Sequence, residues 1–325
     1  MNEPTSDQAA PAAQPAVDEV AARVEEFIAA HRVLEPGEEV VALVSGGADS
    51  LCLWGVLKEL GYPVEALHVE HGLRGHEGLA DAAHCAGLGA IVVPVDLEDG
   101  PNLEARARAA RYAAAREHAA GRTIATGHTL SDQAETVVYR LVSSSGVRAV
   151  RAMRPRAGEV ARPLLGLTSS ETRSWCAGRG VVPRRDSTND DRARRRNLIR
   201  HEVMPALKRV HPGAEVNLAR SAELLGELDE LLAELAGDHV AERFDLDSLE
   251  ELPRALRVLV LREAAERVAG RPLRMPRQLT DKLVALTERR GGVERLSLGA
   301  DLEAVRDRSS LSFEQPARYP ARDER

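Results

Sequence analysis

The chain has 325 residues, 43% of them hydrophobic and 29% charged, with a formal net charge of −7. That balance predicts a soluble globular protein with room for more than one unit, and no apolar run approaches the length that spans a bilayer. Overall acidity gives no sign of a general nucleic-acid binder, and three scattered cysteines without a CxxC pair (Cys52, Cys85, Cys176) exclude a disulfide framework, a zinc ribbon and a dithiol redox motif and predict a reducing, cytoplasmic setting. In chain order, residues 1–17 are Ala/Pro-rich without the basic start and apolar middle of a signal peptide, and are expected to be a disordered tail. Four short β-branched runs then read as strands: EVVALV (39–44), VEALHV (64–69), AIVVPV (90–95) and TIATG (123–127). Helix-like stretches lie between them at 51–60, about 79–88 and 102–120. Strands alternating with helices predict an α/β fold with a parallel sheet and right-handed crossovers, over 18–213. The strand rhythm fades after Arg162, and helical patterns follow in SSETRSWCAG and RRRNLIRHEVMPALKRV. A helical linker is expected over 214–240, then a small α+β C-terminal unit over 241–316 with helices near 252–268 and 276–287 and an antiparallel meander, and a tail over 317–325.

The first strand ends in SGGADS, Ser45, Gly46, Gly47, Ala48, Asp49 and Ser50, and turns straight into a helix. Such a turn presents free backbone N–H groups at a helix N-terminus, where the dipole favours an anion, and glycine lets a phosphate approach closely. Ser45 and Ser50 add hydroxyls. Asp49 would repel phosphate unless a hard cation such as Mg²⁺ lies between them, so the stretch reads as a nucleotide phosphate site with metal help. A glycine-rich turn with a capped helix is the plainer alternative. There is no GxxxxGK[ST] and no GxGxxG, which excludes a Walker loop and a dinucleotide fingerprint.

Each later motif follows a strand, where parallel sheets bind ligands. His68, His71 and Arg74 follow the second strand; Arg74 suits bidentate oxyanion binding, while metal binding by His68, His71 and His76 is disfavoured for want of a partner cluster. After the fourth strand, ATGHTLSDQAET places Asp132 and Glu135 three apart on one helix face, with Ser131 as the expected cap. Two acids there can hold Mg²⁺ or an ammonium group; ordinary charge at a helix start is the alternative. From Arg184 to Arg200 there are seven arginines and three aspartates, and Arg140, Arg148, Arg151, Arg154, Arg156 and Arg162 make a second basic stretch. Such stretches read a phosphate backbone, or are simply solvated helix surface.

SGGADS resembles the pyrophosphate-binding loop of the PP-loop ATPases, or N-type ATP pyrophosphatases. Taken with HVEHGLR (68–74), ARAARY (107–112), HTLSDQAET (128–136), SSSG (143–146), RPLLGL (162–167), DSTND (186–190) and RNLIR (196–200), the chain resembles the tRNA(Ile)-lysidine synthetase family. The resemblance implies an adenine nucleotide alpha hydrolase-like ATPase domain followed by a tRNA-binding unit. It implies ATP and Mg²⁺, and as partners tRNA(Ile) with a CAU anticodon and free L-lysine, with no membrane and with room for a homodimer. The implied ATP contacts are Ser45–Ser50, His68, Arg74, Arg111 and His128. Asp49 and Asp132 would hold Mg²⁺, Asp132 and Glu135 with His128 would serve lysine and catalysis, and Arg195, Arg196, Asn197 and Arg200 would meet tRNA. Three positions depart from the family pattern: Thr129 replaces a histidine, Ser131 an acid and Ser143 an arginine. The alternatives are another tRNA-modifying PP-loop enzyme such as a thiolase, ranked lower for lack of paired cysteines, and a non-catalytic ATP or RNA binder.

Overall fold

Strand β1 (Val40–Leu43) is covered on both faces. Val40 and Ala42 pack with Leu53, Leu57 and Trp175 on one side, and Val41 with Leu67, Ala115 and Ile124 on the other. A strand apolar at every position belongs in the middle of a sheet with helices on both faces. The computed structural model, which describes residues 17–315 except 74, 98–99, 144–146, 185–194, 290 and 300, puts β1 there. β1 pairs in parallel with β2 (Val64–Glu70) and β4 (Thr123–Thr126), Val40 lying beside both Val64 and Thr123. The six strands run β3-β2-β1-β4-β6-β5, with β3 (Ile91–Pro94), β5 (Arg156–Ala157) and β6 (Val160–Ala161). Only β5 is antiparallel to its neighbour.

Helix α1 (Val17–His31) buries Val20, Val24 and Ile28 in the same core as α2 (Ala48–Glu59), Cys85 of α3 (His76–Gly87) and Trp175 of α7 (Ser169–Gly178). α4 (Leu103–Ala119) covers the opposite face through Ala115 and Ala119. The chain thus steps outward from β1 to β2 and β3, crosses back and resumes at β4 on the other side. That reversal makes the carboxyl ends of β1 and β4 the switch-point crevice of the sheet. α5 (Leu130–Ser143) and α6 (Val147–Val150) follow β4. The stretch expected to be helical over RRRNLIRHEVMPALKRV is α8 (Arg195–Leu198), a π-helical turn Ile199–Val203 and α9 (Met204–Val210). Pro205 lies just beyond that turn, in the first turn of α9, where its missing N–H leaves no α-type bond back to residue 201.

Two compact units divide within α10 (Ala214–Gly237), after Leu225. The second contains β7 (Arg243–Asp245), α11 (Leu246–Glu251), α12 (Arg254–Ala269), α13 (Arg277–Glu288) and the meander β8 (Glu294–Gly299), β9 (Leu302–Arg306) and β10 (Ser310–Glu314). Its core gathers Leu246, Leu261, Leu283, Leu302 and Leu311 around an edge-on Phe244–Phe313 pair. β7 completes this sheet beside β10. The four expected strands of the first unit are present; α1, the β5–β6 hairpin and β7 were not foreseen. Residues 1–16, Arg74, DSTND, Ser144–Gly146 and the tail from 317 lie outside the described residues. No helix among the described residues is long and apolar enough to cross a membrane.

A cavity of about 400 Å³ lined by Glu38, Gly121, Arg122, Arg156 and Glu159 opens at the amino ends of β1 and β4, away from the switch point. Its charges serve the fold. Arg156 donates to Glu38 at 2.9 and 3.0 Å and to the Val33 carbonyl, so this arginine of the second basic stretch anchors the fold. The Arg156 guanidinium holds the Glu38 carboxyl down at about 2. A depressed carboxyl contributes stability in full above its unfolded value of 4.5 and loses it as pH falls through about 2. Arg156→Met is therefore expected to flatten the acid limb of stability between those two values, measured by urea unfolding at stepped pH; an unchanged limb would refute the assignment.

Candidate active site

Leaving β1, Val44 donates to Leu67 O, and the chain turns at Gly46 with φ +83°. A side chain is strained in that left-handed region, so glycine is required. The turn is tied from within: Ser45 N–H donates to Ser50 Oγ at 3.0 Å, and Ser50 Oγ donates to Gly47 O at 2.9 Å. It is also braced from outside. The Arg184 N–H donates to Gly46 O at 2.9 Å, and the Arg184 guanidinium reaches the buried Asp81 at 2.5 Å. With the Gly46 carbonyl held, Gly47 as N-cap and Ala48, Asp49 and Ser50 in the first turn of α2, a set of amides converges at a helix N-terminus.

Gly127, at the end of β4, packs directly on this turn. A Cβ there would lie 2.9 Å from Asp49 O, 3.0 Å from Asp49 C and 3.1 Å from Ser50 Cα. Three backbone atoms leave no room for a methyl group. Nothing local in the sequence marks Gly127 for this contact.

Asp49 is half-buried, and among the described residues its hydrogen-bond donors are hydroxyls, Thr172 Oγ1 and, at 3.4 Å, Ser169 Oγ. Both come from α7, started by a capping box between Thr168 and Glu171 that sets Ser169 and Thr172 three residues apart on one face. Burial pushes the Asp49 carboxyl up to about 6; the Thr172 hydroxyl opposes the rise and the charge of Asp132 adds to it. A half-buried carboxyl with hydroxyl neighbours and a second acid within electrostatic reach is a fitting hard-oxygen donor set for Mg²⁺. Among the described residues, however, no group of three His, Cys, Asp or Glu side chains could hold a metal alone. A cation here would need ligand or water oxygens as well.

The start of α5 corrects the expected cap. Ser131 lies inside the helix, and the fully buried Thr129 caps it: its hydroxyl and N–H meet Asp132 Oδ2 at 3.0 and 2.9 Å, and it accepts from Asp132 N. Ser131 Oγ instead accepts from the Ser169 N–H, and Ser169 Oγ lies 3.1 Å from Thr129 Oγ1. Ser169 therefore joins α5 to Asp49. Two of the positions that depart from the family pattern, 129 and 131, thus build the seam between α5 and α7.

His128 is half-buried, with Nδ1 2.8 Å from Thr126 Oγ1, and burial holds its imidazole down at about 4, neutral at neutral pH. His68 is 6% exposed and its Nδ1 donates to Val44 O at 2.8 Å, so it supports the turn from beneath; Glu70 stands 3.8 Å from its Nε2. The exposed Arg111 donates to His71 Nε2 at 3.4 Å. Glu135, 3% exposed, and Asp132 are bound by Arg200, with Arg196 beside it. Arg195 and Arg196 are exposed, whereas Asn197 turns inward at 8% exposure, which sets it apart from the RNA-facing role expected for it. Gln133 is a clamp, exchanging hydrogen bonds with the Met153 backbone. Burial raises the thiols of Cys52, Cys85 and Cys176, the last two to about 11, so none is a ready thiolate.

The sequence profile of the PP-loop domain family matches residues 17–207. The chain is 38% identical over 303 residues to the tRNA(Ile)-lysidine synthase of Nocardia farcinica, covering 87% of this chain and 94% of that one. It belongs to the tRNA(Ile)-lysidine synthase family. The family member of Symbiobacterium thermophilum is 37% identical over 289 residues, 76% of this chain; the present chain spans only about three fifths of that relative's length, 59%. Among solved structures, the U34-tRNA thiolase NcsA from Methanococcus maripaludis superposes with a TM-score of 0.52 at 19% identity, over 65% of this chain and 78% of that one, a likeness of fold. The curated relatives that it matches are named tRNA(Ile)-lysidine synthases, which favours that reading over the thiolase alternative.

Proposed function

We propose that the chain joins L-lysine to carbon 2 of the wobble cytidine of tRNA(Ile) with a CAU anticodon, through an adenylated tRNA. One observation carries the reading: Ser169 links a glycine turn suited to phosphate with a buried acidic pair on the next helix of the switch point. In the first step cytosine O2 attacks the α-phosphorus of ATP, forming an O2–P bond as the bond to pyrophosphate breaks. In the second the lysine ε-amine attacks carbon 2, the C2–O2 bond breaks, AMP leaves with that oxygen, and the amine sheds a proton. Phosphoryl transfer of this kind depends on positioning and charge neutralisation.

Ser45 to Ser50 would cradle the polyphosphate, with Arg74 and Arg111 as further phosphate contacts. His68 supports the turn, and the neutral His128 serves as a hydrogen-bonding group and not as a cation. Asp49 and Asp132 would hold Mg²⁺, which when bound neutralises phosphate charge. Asp132 and Glu135 suit the ammonium of lysine, and the exposed Arg195 and Arg196 suit RNA phosphate. The test is direct: incubate the purified chain with tRNA(Ile) transcript, ATP, Mg²⁺ and radiolabelled lysine. Lysine label in the RNA with matching pyrophosphate is expected. ATP bound without pyrophosphate or label would instead mark an inert nucleotide binder.

A further inference from the structure

One peptide of the phosphate turn joins two glycines, Gly46 at φ +83° and Gly47 at φ −77°, ψ 162°. With no Cβ on either side, the plane of that peptide can rotate with little steric resistance. Its orientation decides what the turn offers to a ligand. The described peptides are all trans, so the Gly46 carbonyl and the Gly47 N–H point in opposite directions. One orientation presents the N–H to an anion; the other presents the carbonyl oxygen, which repels it. The internal ties fasten the flanking peptides instead. Ser45 N–H is held by Ser50 Oγ at 3.0 Å, and Gly47 O by Ser50 Oγ at 2.9 Å and by the Leu51 N–H at 3.0 Å. The Gly47 N–H meets the Ser45 hydroxyl at a long 3.4 Å, a weak tie for the plane between them.

The hold on the Gly46 carbonyl comes from outside the turn, from the Arg184 N–H at 2.9 Å. Arg184 is in turn fixed through its side chain, whose Nε donates to Asp81 Oδ1 of α3 at 2.5 Å. The Asp81 side chain is 9% exposed and that of Arg184 37%. A charge-assisted hydrogen bond of this kind is among the stronger polar contacts. The same helix also backs the glycine. A Cβ on Gly46 would lie 3.5 Å from Cys85 Sγ, 3.6 Å from His84 Cδ2 and 3.9 Å from Arg184 Cβ. α3 and Arg184 thus form one seat beneath the turn, and the ion pair is what locks the two halves of that seat together.

We propose that Asp81 and Arg184 are positioning residues for the phosphate turn: their ion pair keeps the Gly46–Gly47 peptide with its N–H turned to the polyphosphate and its carbonyl turned away. This rests on the reading that the turn cradles the phosphates of ATP. In this role neither side chain needs to touch the nucleotide, because both act through one main-chain peptide. Without the pair the peptide samples both orientations, and affinity falls by the fraction that remains competent.

The test is calorimetric titration of the full chain, in Mg²⁺, with ATP and with inorganic pyrophosphate. The unaltered chain is expected to bind both. Arg184→Ala and Asp81→Ala are each expected to weaken both ligands about tenfold or more, the worth of a hydrogen bond to a charged group. The double variant should be no worse than either single one, since the two residues act as a unit. Arg184→Lys, which keeps a cation for Asp81, should restore most of the affinity, and Asp81→Ala should bind tRNA(Ile) transcript as the unaltered chain does. Unchanged ATP and pyrophosphate affinity in Arg184→Ala, a half-exposed position where folding is not at stake, overturns the proposal. So does a loss that Arg184→Lys leaves unrepaired, or one that transcript binding by Asp81→Ala shares, since either marks a merely structural pair. Failure of the unaltered chain to bind either ligand overturns instead the reading of the turn as a phosphate site.

Discussion

Gly127→Ala is expected to cut pyrophosphate release by about 100-fold or more, with a rise in KM for ATP, because a methyl group there displaces the first turn of α2, and a shift of the order of 1 Å in a reacting group costs about that much. The neighbours that the methyl would meet are the Asp49 carbonyl and the Ser50 Cα, main-chain atoms inside a helix that cannot rotate away as a side-chain tip could. Overpacking of this kind also lowers stability, by about 1–3 kcal/mol. Gly87→Ala is the control: it ends α3, meets nothing within 4 Å and should leave both rate and stability unchanged. Steady-state pyrophosphate assays with thermal melts of both variants decide it. Normal kinetics in Gly127→Ala would mean that the end of β4 does not set the geometry of the phosphate turn.

Asp49→Asn is expected to do two opposite things, to stabilise the ligand-free protein at neutral pH and to remove most of the activity. The carboxyl is raised from 3.8 to about 6, chiefly by burial. A raised group favours the fold fully below its unfolded value, and that contribution is lost as pH rises through about 6. Above that point the ionised side chain is held against its desolvation, and a rise of this size corresponds to about 2–3 kcal/mol. Asparagine keeps an oxygen for Thr172 and Ser169 but never ionises. The gain in Tm of the variant should therefore be near zero at pH 4 and grow to several degrees by pH 8, since about 1 kcal/mol moves a unit of this size by roughly 2–4 °C. In the opposite direction, the loss of a charged group at a phosphoryl-transfer centre should cost about 100-fold or more in rate. Mg²⁺ and ATP should raise the Tm of the unaltered chain and not that of the variant. A variant that is less stable at every pH, or that still responds to Mg²⁺ and ATP, would show that Asp49 is a structural acid.

Features written in neighbouring residues were readable before the fold was known. EVVALV announced a strand covered on both faces, and SGGADS announced the turn after it, because each is complete within six residues. The amphipathic spacing of Val20, Val24 and Ile28 was equally present and was overshadowed by the Ala/Pro composition just before it. The β5–β6 hairpin could not be read, since strands of two residues have no alternation to detect. The remaining omissions are meetings in space. Gly127 is constrained by Asp49, Asp49 by Thr172, and Glu135 by Arg200, pairs that lie 78, 123 and 65 residues apart. Ser131 was expected to cap α5 because serine is a good cap; Thr129 won because its buried hydroxyl can also engage Asp132 and Ser169.

The brace from Arg184 to the Gly46 carbonyl, together with the hydroxyls of Ser169 and Thr172, comes from residues more than a hundred positions further along the chain. The consequence is one of timing during synthesis. A ribosome that has released only β1 to β4 has released the phosphate turn with its internal ties but without these outer braces. The turn therefore gains its last braces only as residues near 184 emerge, after every strand of its sheet has left the ribosome.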